Sequence, residues 1–142
     1  MELADSGELV KRIVKMRQAL LPPYCRDEDD SQRTPEQYIE FYRAHGREPL
    51  AATRGFLDAL SKFESHRAST EAIALLLDAR RRFIAHFPFC RDELTPHGEA
   101  DPYEALAVRG YTDATTMFWT VWACNEYEQL LTELLSRLDA ST

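Results

Sequence analysis

The chain is poor in glycine, with five in 142 residues, and has only three cysteines. Nowhere do apolar and polar residues alternate long enough to make a convincing strand, so a sheet-based fold is excluded. An odd cysteine count with no Cys-x-x-Cys pair makes a reducing compartment the simplest home, with a Cys25–Cys90 disulfide open only if the two turns that carry them meet. No apolar run approaches the roughly 20 residues that cross a bilayer. The opening "MELADSGELV" carries Glu2, Asp5 and Glu8, which suits neither a secretory signal nor an acid-poor transit peptide. An intracellular, cytoplasmic protein with no membrane partner is expected.

Positive charge is also short. Seventeen Lys and Arg stand against 24 Asp and Glu, giving a net charge of −7, and phosphate binding needs a concentrated basic face. No nucleic-acid partner is expected. The run Arg80-Arg81-Arg82 points three ways on a helix and reads as solvated surface. Phosphate loops, dinucleotide turns, His-Glu-x-x-His and Gly-x-Ser-x-Gly are all missing, as is the Glu-x-x-His pattern of carboxylate bundles. Nothing calls for a cofactor or identifies a catalytic residue.

What remains is a helical sequence of ordinary composition, 44% hydrophobic and 29% charged, suited to one domain over residues 1–142. Its organising feature is a repeated phrase: "PPYCRDED" at 22–29 and "FPFCRDEL" at 87–94, 65 residues apart. Arg17 and Arg82, Pro23 and Pro88, and Tyr38 and Tyr103 share that offset. Thr34-Pro35 then answers Asp101-Pro102, and Gly46 answers Gly110. Each copy reads as a long helix, a Cys-Arg-Asp-Glu turn, a short capped helix and a second long helix. In the first long helix Leu9, Val10, Ile13, Val14 and Arg17 share a face; Asp5 or Ser6 caps it and Pro22-Pro23 ends it. Its counterpart carries Ile73, Leu76, Leu77, Arg80, Phe83 and Ile84 and stops at Pro88. Thr34, Pro35 and Gln37 form a capping box for a helix closing at Gly46, and Asp101, Pro102 and Glu104 repeat it before Gly110. Long helices over about 49–66 and 113–139 complete the units. The expected fold is all-α, a pseudo-two-fold helical bundle of about six helices built from two long-short-long three-helix repeats, 5–66 and 70–139.

The repeated turn admits two readings. In one, Cys25 and Cys90 are small buried apolar residues beside Tyr24 and Phe89, and Arg26 and Arg91 clamp carboxylates. In the other, the turns meet, and Cys25, Asp27, Cys90 and Asp92 hold a small molecule or a metal, in a protein that could be an enzyme. His86 precedes Cys90 by four residues, but Leu21 holds the matching place in the first copy, which weakens a zinc site. Asp27 cannot open a calcium loop, because Gln32 and Tyr38 stand where that loop requires Gly and Glu.

The last helix is apolar on two sides. Ala114, Phe118, Val121, Trp122 and Asn125 share one side; Tyr127, Leu130, Leu131, Leu134, Leu135 and Leu138 lie roughly opposite. Such a helix is either central in its bundle or shared with a partner. "MFWTVW" concentrates three residues of the kind that anchor interfaces, so Phe118, Trp119 and Trp122 are the candidate contact residues. Trp119 should be the more exposed tryptophan. Tyr127, Leu131, Leu134 and Leu138 offer a short heptad-like seam for a homodimer. The functional expectation is a non-enzymatic protein-interaction or self-association module.

Overall fold

The computed structural model describes residues 3–20, 32–65, 69–89 and 102–140. Six helices run through them: α1 (Leu3–Leu20), α2 (Pro35–His45), α3 (Arg47–Ser65), α4 (Thr70–Ala85), α5 (Pro102–Gly110) and α6 (Ala114–Ala140). No strand occurs among the described residues. The long helices pair as α3 with α4 and as α1 with α6, and α3 lies against α6 to join the pairs. The shorter helices sit at the side, α2 chiefly on α1 and α5 on α4.

Local chemistry sets several of the boundaries. At α2, Thr34 accepts a hydrogen bond from the Gln37 amide (3.3 Å), and the Thr34 amide donates to Gln37 Oε1 (2.7 Å), with Pro35 in the first turn. This is the reciprocal cap read from the sequence. Ser69 caps α4 through the Ala72 amide. Asp113 caps α6 by accepting from the Thr116 amide (2.9 Å) and hydroxyl (3.0 Å), and these bonds hold its carboxyl below the usual range.

Other expectations are corrected. α1 starts at Leu3, so Asp5 and Ser6 lie within the helix, and Ser6 is buried. α2 does close at Gly46 as expected, its last helical residue being His45, but Gly46 caps it without a left-handed turn. It keeps right-handed dihedrals (φ −68°, ψ −23°), its amide reaches the Tyr42 carbonyl, and its own carbonyl accepts from Leu50. α2 and α3 are therefore two arms of one kinked helix. Pro49 explains the kink: it lacks the amide that would bond the His45 carbonyl, and its ring crowds that turn.

The arginine run is not a solvated surface as a whole. Arg80 is buried beside the Tyr111 phenol, whose pKa is raised by burial and partly restored by that charge and hydrogen bond. Arg81 makes two bonds to buried Glu104, 2.5 Å from Nε and 2.8 Å from the second guanidinium nitrogen. Arg81 and Arg82 are both exposed, and Arg82 lies near Asp78 at 3.2 Å. Glu104 thus binds across to α4, a use its place in the capping pattern did not foretell. Arg17 and Arg82, paired by offset, have opposite environments: Arg17 is fully buried, its Nε donating to the Pro88 carbonyl at 2.9 Å.

The centre of the core is aromatic. Phe56 stacks on Phe83 with ring centroids 4.7 Å apart, Phe83 meets Phe87 at 4.7 Å, and Phe87 meets Tyr127 at 5.3 Å. The Tyr42 and Tyr127 hydroxyls share a hydrogen bond there. Phe89, at φ 58°, packs edge-on to Tyr38 at 5.2 Å with the Arg33 guanidinium 4.1 Å above its ring. Left-handed backbone is unusual for so bulky a residue, and these ring contacts oppose its relaxation.

Candidate aromatic contact surface on helix α6

α6 carries apolar residues round more of its circumference than the bundle can cover. Its inward series, Met117, Cys124, Tyr127, Leu130, Leu131, Leu134 and Leu138, is buried between α1 and α3. The outward series changes character along the helix. Towards the C-terminus it is polar: Gln129, Thr132, Glu133 and Ser136 are exposed. Towards the N-terminus it is Phe118, Trp119 and Trp122, at 61%, 56% and 46% exposure.

These three rings form one cluster. Trp119 sits in the middle, with ring centroids 5.4 Å from Phe118 and 5.8 Å from Trp122, edge-on to both. Such edge-to-face contacts are favourable, but they leave about half of each residue facing water. Trp119 is the more exposed tryptophan. Trp122 is not a core residue either: α6 is flanked by α1 and α3, and among the described residues no other helix makes extensive contact with this side near its start.

Beside the cluster runs a groove of about 450 Å³. Ala114, Met117, Phe118, Val121, Trp122 and Asn125 line it, and Glu64 closes it from α3. The side of α6 picked out by helical spacing thus supplies most of the lining. Glu64 could not be found that way, since it arrives from α3, which runs antiparallel to α6: Arg54 bonds Glu128 at 3.0 Å, while Glu64 sits ten residues further on beside the start of α6. Trp119 flanks the groove without lining it. Positions 114–125 of α6 contain no ionisable side chain except Cys124, whose buried thiol is pushed up to about 12.

A second cleft, of about 390 Å³, lies over the α2–α3 kink. Arg43, His45 and Arg47 meet Glu48 and Asp139 there, a mixture that favours no single charge of ligand. Cys25, Asp27, Cys90 and Asp92 lie outside the described residues, as do the turns that carry them. Among the described residues, no group of three or more His, Cys, Asp or Glu side chains could hold a metal ion, and no helix is long and apolar enough to cross a membrane. No protein-family model, no curated protein and no solved structure matches this chain.

Proposed function

We propose that the protein is a non-enzymatic binding module whose contact surface is the aromatic face of α6, formed by Phe118, Trp119 and Trp122. The observation that carries this reading is the exposure of all three rings in one contiguous cluster. Aromatic side chains have about 150–250 Å² each to bury, so three half-exposed rings leave roughly 300 Å² of apolar surface in water. A patch of about 300–600 Å² is the largest that typical monomers show, and it is often functional. The partner is a protein face that is largely apolar, since the three rings present apolar surface to be buried, and an anion set beside them and Glu64 would lose its hydration without gaining a counter-ion.

The internal duplication, which we also infer, strengthens this reading. The buried residues Thr53, Phe56, Ala59, Leu60 and Phe63 of α3 are followed 71 residues later by Cys124, Tyr127, Leu130, Leu131 and Leu134 of α6, also buried. Buried, half-buried and exposed positions coincide at sixteen of the nineteen residues of α3 in this register. In the first long helices, Leu9, Val10, Ile13 and Arg17 are followed at 63 residues by Ala72, Ile73, Leu76 and Arg80. Exchanging the halves also turns the α3–α4 contact into α6–α1, the two largest helix contacts in the bundle. The offset of 65 in the repeated phrase lies between these values, as insertions along the second copy would produce.

This register supplies an internal control. The α3 positions that answer Phe118, Trp119 and Trp122 are Arg47, Glu48 and Ala51, all exposed. One copy therefore meets the needs of the fold with charged and small residues where the other has three large rings. Packing does not require the rings, which favours a contact role. The test is a photo-crosslinking residue at position 119 in the full chain, compared with one at Gln129 on the polar half of α6. Protein adducts from 119 well above those from 129 are expected; equal labelling would remove the reading. The rival, a ligand or metal site at the two Cys-Arg-Asp-Glu turns, has no observation among the described residues in its favour.

A further inference from the structure

We infer that the partner of this surface is a second copy of the same chain, docked by a two-fold axis so that Trp119 of each copy enters the groove beside Phe118 and Trp122 of the other. The inference rests on the binding role of the α6 face proposed above and names the occupant. In an interface of this symmetry the same patch faces itself, so it must carry both a projection and a matching recess. The α6 face has both. Trp119 is 56% exposed and takes no part in the groove wall, while the groove lies beside it, walled by α6 residues such as Ala114, Val121 and Asn125 and by Glu64 of α3.

The contact adds little charge, and its area sets the strength of the pairing. Each copy carries −7, so two copies repel, and a charged contact would add to that. The α6 stretch 114–125 brings no carboxylate or cation of its own to the contact, where Glu64 at the groove wall is the nearby carboxylate. Roughly 300 Å² of ring surface per copy comes to roughly 600 Å² over both, below the range of about 1,200–2,000 Å² for standard interfaces. The expected product is a weak, concentration-dependent dimer.

Sedimentation equilibrium on the full chain, from low to high micromolar concentration, tests this directly. A monomer–dimer equilibrium is expected, tightening as salt rises, because screening removes repulsion between the acidic copies while the apolar contact is little affected. Trp119→Ala removes the projection and Val121→Trp fills the recess; each should weaken dimerisation about tenfold or more, with helical circular dichroism unchanged. Gln129→Ala should change nothing. Mixing the two variants gives the decisive result. A Trp119→Ala copy keeps its recess and a Val121→Trp copy keeps its projection, so the mixed dimer regains one of the two contacts and should be tighter than either variant alone. If Val121→Trp disturbs folding, Ala114→Phe fills the same recess from the exposed end. A chain that stays monomeric throughout, or a dimer indifferent to Trp119→Ala, would overturn the inference. Monomeric behaviour with crosslinks from position 119 to a different protein would leave the binding module standing and exclude only the second copy.

Discussion

The hydroxyls of Tyr42 and Tyr127 lie 2.8 Å apart in the middle of the bundle, joining the α2 arm to α6 where both side chains are sealed from water. Each phenol is the other's hydrogen-bond partner, and Phe83 and Phe87 pack against the Tyr127 ring. Removing one hydroxyl leaves its mate buried and unpaired, which costs about 1–3 kcal/mol. Tyr42→Phe and Tyr127→Phe should each destabilise the protein by that order. The double variant should cost clearly less than the two together, since no orphaned hydroxyl remains. Urea denaturation of the four proteins measures this coupling; simple additivity would show that the pair is not a unit.

Alkaline pH should unfold the protein through the same buried groups. Burial raises the pKa of Tyr42, Tyr127 and Tyr111 above the ordinary 10.0, and that of Cys124 from 9.0 to about 12. The folded chain therefore holds these protons more tightly than the unfolded chain. The resulting stability is complete below pH 9 and is lost from there upward, first through Cys124, then through the tyrosines above pH 10. Absorbance at a phenolate wavelength should rise in two stages, exposed tyrosines first and buried ones only with the loss of helical signal. A single smooth rise while the helices persist would contradict this.

Two glycines should respond oppositely to alanine. A Cβ at Gly46 would press into Leu135 Cδ2 and come within 2.5 Å of the Tyr42 carbonyl, so Gly46→Ala should destabilise by about 1–3 kcal/mol. Gly55 lies inside α3, exposed, with nothing within 4 Å of an added Cβ. Gly55→Ala should stabilise by about 0.5–1 kcal/mol through helix propensity alone. Thermal melts of both variants decide the signs.

Trp119→Ala and Trp122→Ala should both melt close to the parent. Neither ring is in the core, so the large loss expected of a buried tryptophan does not apply to Trp122. Phe83→Ala, which breaks the central stack with Phe56, should cost about 3–5 kcal/mol. Tryptophan fluorescence of the parent should be red-shifted when the chain is dilute and alone, and should move to the blue when the α6 face is covered. A blue emission independent of concentration and partner would show that these rings are already buried.

Periodicity and capping chemistry act between residues three or four apart, so they can be read from the sequence. The helical class, the order of six helices, the reciprocal cap at Thr34 and Gln37 and the two-sided character of α6 were legible for that reason. The place of Arg17 on the apolar stripe of its helix was legible too, whereas the run Arg80-Arg81-Arg82 read as solvated surface and Arg80 is buried. What occupies the other side of a helix is a matter of tertiary packing. Nothing in "ARRRFIA" states that Arg81 will meet Glu104 from another helix, or that Arg17 will reach the Pro88 carbonyl 71 residues away. The stop at Gly46 was legible in the local Gly signal, but the right-handed cap that leads directly into α3, and the closeness of Leu135 to that corner, were not. The sequence by itself also determined that Phe118, Trp119 and Trp122 share a region of α6. Only the tertiary structure decided that this region faces water, because exposure depends on where α1 and α3 lie and how far along α6 their cover extends.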